Sequence, residues 1–296
     1  MVFGGNLINI YYLYNSGFTL ELDAPTGGLA GHTPPEHGAP GSDTPNRDAL
    51  IFDYWRGGLG KPWRMPLDAA PSGYRNVYVF VSHIHADHYN REIFNWLSER
   101  DDIHYILSDD IKRSAQSLPA VKGKGRHTVD FIACGGRLRV GALDVTAYGS
   151  TDTGVSFHVV AEGGISIFHA GDLNFWHWRD ASTAAEVAAA DELFTMELNR
   201  IRLGIKKIDV AFFPVDPRMG SDYYRGAIRF CEAMKPSVLV PMHCSTKSPH
   251  PNSFFTEIKP YTKVVFANNP VGSANAIPLA SQTLRVCAPA TRYRRD

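Results

Sequence analysis

The sequence lacks long apolar runs and any excess of charge of one sign. No stretch of its 296 residues approaches the about 18–20 consecutive apolar residues that a membrane-spanning helix needs. Thirty Lys and Arg residues balance thirty Asp and Glu residues, whereas a protein dominated by phosphate contacts usually has a basic surplus. We therefore expect no membrane partner, and a nucleic-acid partner is disfavoured.

Cysteines are also few and scattered. The four, none in C-x-x-C spacing, are Cys134, Cys231, Cys244 and Cys287. This is neither a disulfide framework nor a zinc-finger pattern. The N-terminal residues show no charged segment followed by an apolar run and a small-residue cleavage site. The expected location is a reducing cytoplasm.

Histidine, in contrast, is concentrated in one short motif. The run His83-Ile84-His85-Ala86-Asp87-His88 holds three imidazoles and a carboxylate, ligands that suit zinc, iron or manganese. It follows the apolar run 77–82, which has strand character. Because sheet enzymes place chemistry at the carboxyl ends of buried strands, this cluster favours a metal site over surface histidines in a polar loop.

Together with two later segments, this motif resembles the signature of the metallo-β-lactamase superfamily. Segment 165–172 ends in Gly171-Asp172, and segment 238–243 ends in His243. The resemblance extends from about residue 8 to about residue 266. It implies an α+β fold, a four-layer αββα sandwich with a dinuclear metal site at one edge of the sheets. We expect one domain over 1–296, with a Gly/Pro-rich loop insertion at 24–48.

The resemblance also implies the metal ligands and the catalytic residues. The metal would be zinc, as one or two ions, with iron or manganese as alternatives. Asp172 would bridge the two ions, and Asp87 would also orient a water and transfer its proton. The expected ligands are His83, His85, Asp87, His88, Asp172 and His243.

One departure concerns the turn 149–154, where the superfamily usually supplies a third histidine and this chain has Ser150. A hydroxyl is a weak zinc ligand, so we expect a water to fill the position. Asp152 and His177 are substitutes, with His177 preferred by ligand chemistry. The alternatives are a turn-capping role for Asp152 and a non-ligating loop position for His177.

Two further residues follow predicted strands. Asp53 would fix a metal-bound histidine from outside the ligand set, or else cap the end of its strand. Arg218 would hold an anionic substrate by a bidentate contact, or else lie on the surface. Segments 14–18, 51–54 and 213–217 are similar to those of a bacterial branch of uncharacterised hydrolases related to ascorbate-6-phosphate lactonase.

These features predict a metal-dependent hydrolase in which a metal-bound hydroxide attacks an ester, lactone or phosphoester. The substrate is expected to be a small molecule, anionic if Arg218 binds it, and a homo-oligomer is compatible with the sequence. A nucleic-acid phosphodiesterase or nuclease is the first alternative, because such enzymes share the motif. A degenerate, non-catalytic metal-binding protein is the second, because of Ser150.

Overall fold

The computed structural model describes residues 7–23, 47–55, 65–67, 71–123, 125–244, 250–266 and 275–278. Within these ranges, fourteen strands form two seven-stranded sheets. The strands are β1 (Leu7–Tyr14), β2 (Gly17–Asp23), β3 (Arg47–Phe52), β4 (Asn76–Val81), β5 (His104–Ser108), β6 (Thr128–Ile132), β7 (Arg137–Val140), β8 (Leu143–Tyr148), β9 (Ser156–Val160), β10 (Ser166–His169), β11 (Val210–Pro214), β12 (Val238–Met242), β13 (Lys263–Val264) and β14 (Asn275–Pro278).

Each sheet combines an antiparallel half with a parallel half. The first has the order β14-β1-β2-β3-β4-β5-β6, with parallel pairing from β3 to β6. The second has the order β13-β12-β11-β10-β9-β8-β7, with parallel pairing from β10 to β13. Because parallel neighbours end at the same edge of a sheet, each sheet places several adjacent strand ends along one edge.

Helices occupy the connections between these strands. The helix Ala184–Gly204 has its first turn fixed by a capping box between Thr183 and Glu186. Residues Arg91–Ser98 form a 3-10 helix. The α-helices are α1 (Lys112–Ala115), α2 (Pro119–Lys122), α3 (Ala184–Gly204), α4 (Arg225–Met234) and α5 (Asn252–Ile258).

Both faces of the first sheet are buried, which follows from the alternation of side chains along its strands. Phe52 stacks on Phe80 and faces Phe212 of the second sheet, in the core between the sheets. Ile51 points the other way and belongs, with Trp96, to a second core under the 3-10 helix.

The second sheet is covered in the same way. Phe213 turns away from the inner core and contacts Phe194 of α3 and Phe230 of α4. The expected four-layer αββα sandwich is therefore confirmed.

The insertion predicted at 24–48 lies outside the described residues except for its last two, which begin β3. No helix in the described ranges is both long enough and apolar enough to cross a bilayer.

Candidate metal centre

Five parallel strands deliver polar side chains to one edge of the sandwich. The residues that follow the carboxyl ends of β3, β4, β10, β11 and β12 are, in that order, Asp53, His83, Asp172, Asp216 and His243. Contacts between side chains from the two sheets, such as His83 Nε2 to Asp172 Oδ2 at 3.3 Å, show that these strand ends meet. The centre thus lies where the resemblance places it, at the carboxyl edge of both sheets.

One set of side chains, here called the first donor group, consists of His83, His85, Asp152 and Asp172. Each offers one ligand atom, and these atoms lie within 4.8 Å of one another. His85 Nδ1 is 3.1 Å from His83 Nε2 and 3.6 Å from Asp152 Oδ2. His83 and Asp172 are buried, whereas the side chains of His85 and Asp152 are 50% and 47% exposed. This group therefore opens to solvent on one side.

The second donor group consists of Asp87, His88 and His243, whose ligand atoms also lie within 4.8 Å of one another. The Nε2 atoms of the two histidines are 3.2 Å apart, and Asp87 Oδ2 is 3.8 Å from His88 Nε2. Both imidazoles are buried, and Asp87 is half-buried. This group is more enclosed than the first.

Asp172 faces both donor groups with different oxygens. Its Oδ2 points to His83, while its Oδ1 lies 2.8 Å from His243 Nε2 and 3.1 Å from His88 Nε2. Although burial opposes ionisation, these histidines hold the pKa of Asp172 well below its usual range.

The Oδ1 atom of Asp172 is also buried and receives no hydrogen bond. Imidazole nitrogens that converge on a buried carboxylate oxygen without hydrogen bonding to it are arranged as ligands around shared cations. The residues present therefore fit a pair of metal ions.

In the second donor group, the Nδ1 atom of each buried histidine, on the side of the ring away from the centre, contacts a carboxylate. His88 Nδ1 is 2.7 Å from Asp53 Oδ2, and His243 Nδ1 is 3.4 Å from Asp216 Oδ2. A proton held on Nδ1 by such a partner leaves the Nε2 lone pair directed at the centre, which is the usual support for metal-binding imidazoles.

Asp53 is fully buried and makes several bonds at the start of the histidine motif. Its two oxygens accept from the amide of Ser82 at 2.7 Å and from the Ser82 hydroxyl at 2.6 Å. Burial opposes its ionisation, but the charge of His88 dominates among the effects that lower the pKa of Asp53 below its usual value. The Ser82 hydroxyl also lies 3.0 Å from His83 Nδ1, so one carboxylate supports the histidine of the second group directly and that of the first through a hydroxyl.

Asn15 contacts the second donor group, although the sequence predicts no such role for this residue of segment 14–18. Its Nδ2 donates to Asp87 Oδ2 at 3.0 Å, and its carbonyl accepts from the amide of His243 at 3.2 Å. Asn15, Asp53 and His243 all have positive φ, at 49°, 43° and 57°, a region that non-glycine residues seldom occupy and that clusters at functional sites. In the sequence, Asn15-Ser16-Gly17 has the composition of a turn, which gives no sign of a contact with Asp87.

The turn 149–154 brings Asp152, rather than a histidine, to the first donor group. Ser150 Oγ accepts from the amide of Asp152 at 3.2 Å. Gly154 has φ +71°, and a Cβ there would lie 2.1 Å from the Ser82 carbonyl oxygen, so only glycine lets this turn pack so closely against the histidine motif. The serine thus holds the turn whose aspartate faces His85.

The preference for His177 as the substitute ligand is not supported. Its Nδ1 accepts from the amide of Arg179 at 3.0 Å, and its Nε2 lies 3.2 Å from the carbonyl oxygen of Asp222. It belongs to neither donor group, because its ring is buried and engaged with Arg179 and Asp222. Of the residues considered for this position, Asp152 is the one that joins the first donor group.

Arg218 lies beside the second donor group, but its guanidinium is already engaged. Its Nε and Nη2 donate to the carboxylate of Asp216 at 2.6–3.0 Å, and Nη2 is 3.2 Å from His243 Nδ1. Burial opposes ionisation of Asp216, but bonds from His243 and Arg218 lower its pKa to about 2. The bidentate contact of Arg218 is thus made to Asp216.

Comparisons with known proteins agree with this fold. The family model described as a beta-lactamase superfamily domain matches residues 48–244. Igni18, a metallo hydrolase from the archaeon Ignicoccus hospitalis, is 16% identical with a TM-score of 0.56, covering 92% of this chain and 98% of its own. YhfI from Bacillus subtilis, a metallo-beta-lactamase fold protein, is 12% identical with a TM-score of 0.56, covering 92% of this chain and all of its own. These structures share the fold, and no curated protein sequence matches.

Proposed function

Because the chain belongs to the beta-lactamase superfamily, we propose that it is a metal-dependent hydrolase with a dinuclear centre. The observation that carries the proposal is Asp172, whose two oxygens face two separate groups of metal ligands. The first ion would be held by His83, His85, Asp152 and Asp172, and the second by Asp87, His88, His243 and Asp172.

Zinc is the proposed metal, and iron or manganese would suit the same nitrogen and oxygen donors. When bound, such ions lower the pKa of a water towards neutrality and polarise a carbonyl or phosphoryl oxygen. A non-catalytic role, the alternative raised by Ser150, is disfavoured because Asp152 supplies a fourth protein donor to the first group.

The protein contributes positioning and proton transfer. Asp53 and Asp216 fix the ring orientation of His88 and His243 through their Nδ1 atoms. Asn15 holds Asp87 by Oδ2, and we assign to Oδ1 of the same carboxylate the uptake of a proton from the attacking water and its return to the leaving group.

The proposed substrates are esters, lactones or phosphoesters of small molecules. Arg218 can still contact an anionic group through Nη1, because its other nitrogens bond to Asp216. Within the family, we propose the lactonase-like branch, which rests on the sequence segments 14–18, 51–54 and 213–217.

Metal analysis paired with an activity panel tests the proposal. Purified protein should carry one to two zinc, iron or manganese ions per chain, and it should hydrolyse at least one of γ-butyrolactone, bis(p-nitrophenyl) phosphate and a thioester. Asp87→Asn should abolish that activity, whereas the surface variant Asp144→Asn should retain it. Absence of transition metal even after reconstitution would overturn the proposal.

A further inference from the structure

The segment after the bridging carboxylate carries two indoles on one side and an imidazole on the other. His177 is 1% exposed, whereas Trp178 is 39% exposed. The rings of Trp176 and Trp178 lie nearly parallel, at 16°, with centroids 6.3 Å apart. We call this pair the indole shelf.

The indole shelf is attached directly to the metal ligands. Trp176 Nε1 donates to the carbonyl oxygen of Asp172 at 2.8 Å. Its ring also meets the ring of His243 edge-on, with centroids 5.9 Å apart. The shelf therefore borders the second donor group, and Trp178 extends it outwards into solvent.

The backbone holds Trp178 in this position at an energetic cost. Its φ is +39°, a conformation that is a genuine outlier for a bulky side chain. The amides of Ala181 and Ser182 both donate to its carbonyl oxygen, at 2.8 and 2.9 Å. The neighbouring His177 is held by its Nδ1, which accepts from the Arg179 amide, and by its Nε2, which lies 3.2 Å from the Asp222 carbonyl oxygen. Trp178 is strained and well anchored although its ring stays 39% exposed, and such strain clusters at ligand-binding positions.

We propose that the indole shelf binds an aromatic ring of the substrate, so that the preferred substrates carry this ring next to the group that is hydrolysed. The inference rests on the proposed function, because the metal centre would hold the reacting group. Offset or edge-to-face contact with indole favours an aromatic ring over an aliphatic ring of the same size. Trp178 is then the specificity-determining residue, while Trp176 also supports Asp172.

The test compares two carboxylates that differ only in ring character. Benzoate and cyclohexanecarboxylate are titrated calorimetrically into the metal-loaded protein, and metal content is measured beside each titration. Benzoate should bind about three- to tenfold more tightly. Trp178→Leu should abolish that preference and Trp178→Phe should retain most of it, whereas Phe255→Leu, which removes an aromatic ring of similar exposure on α5, should leave it unchanged.

Equal affinity of the wild-type protein for both carboxylates would overturn the inference while leaving the metal centre intact. A benzoate preference that survives Trp178→Leu would overturn it as well, as would failure of either carboxylate to bind metal-loaded protein. A wild-type protein that takes up no metal would instead overturn the proposed function and this inference with it. Thermal unfolding of each variant shows whether a lost preference reflects a lost fold.

Discussion

The two donor groups share one carboxylate yet sit in different surroundings. In the first, His85 and Asp152 are about half exposed. In the second, both histidine side chains are buried, at 0% and 4% exposed. Water competes for ligands and screens charge far more at the open group than at the enclosed one.

The groups also differ in what supports their histidines. His88 and His243 are each backed by a buried carboxylate, Asp53 or Asp216. His83 is backed by the neutral hydroxyl of Ser82. A carboxylate partner raises the basicity of an imidazole ligand. The second donor group should therefore bind metal more tightly than the first.

The largest effect is expected when the carboxylate shared by both donor groups is removed. Asp172→Asn should release both ions, because the substitution takes a charged oxygen from each group. The loss in affinity should exceed the about 10–100-fold that removal of an outer partner of a ligand costs. Metal content after dialysis measures it, with the exposed Asp144→Asn as control. Retention of both ions would mean that the carboxylate does not bridge.

Asp53→Asn should weaken the second donor group selectively. The amide can no longer offer a charged acceptor to His88 Nδ1, so affinity there should fall by about 10–100-fold. Metal binding at the first group should fall less, because Asp53 reaches it only through Ser82. Competition against a chromophoric chelator measures both affinities. An equal loss of metal affinity at both groups would contradict the proposed difference between them.

Asp152→Ala should weaken the first donor group selectively, leaving about one ion per chain where the wild-type protein holds two. The expected loss in affinity is at least about tenfold. His177→Ala is the matched control, because His177 contacts Arg179 and Asp222 instead, and it should keep both ions. If His177→Ala lost metal and Asp152→Ala did not, the assignment of the substitute ligand would be reversed.

The smallest expected effect is that of Ser150→His. Because Asp152 already faces His85, a new imidazole at 150 meets no open position, and affinity at the first donor group should not rise. Isothermal titration of the apo protein with zinc checks this. A clear gain in affinity at the first group would show that the aspartate leaves a coordination position open.

The sequence is most informative about ligands that lie next to one another in the chain. His83, His85, Asp87 and His88 lie within one motif after one strand, and the family resemblance adds Asp172 and His243. Asp53 was foreseen as a contact of a ligand histidine because it follows a predicted strand, and the structure shows that contact.

The sequence predicts less where the outcome depends on side-chain direction or on distant packing. Asp152 and His177 differ in whether the side chain turns towards the centre or away from it, and ligand chemistry alone favoured His177, whose ring contacts Arg179 and Asp222. Asn15 is more than seventy residues from the ligand it holds. Asn15 reaches Asp87 only because two strand ends approach each other in the fold, and the turn composition of residues 15–17 does not reveal that approach.

A stepwise chelator titration of the dinuclear protein tests the central claim most directly. Aliquots at increasing chelator concentration are separated from free metal, and the ions remaining per chain are counted in the wild-type protein and in Asp152→Ala. The account predicts two separate steps for the wild-type protein, with the earlier step missing from Asp152→Ala and the later step unchanged. Loss of both ions in a single step, at one chelator concentration, would contradict it.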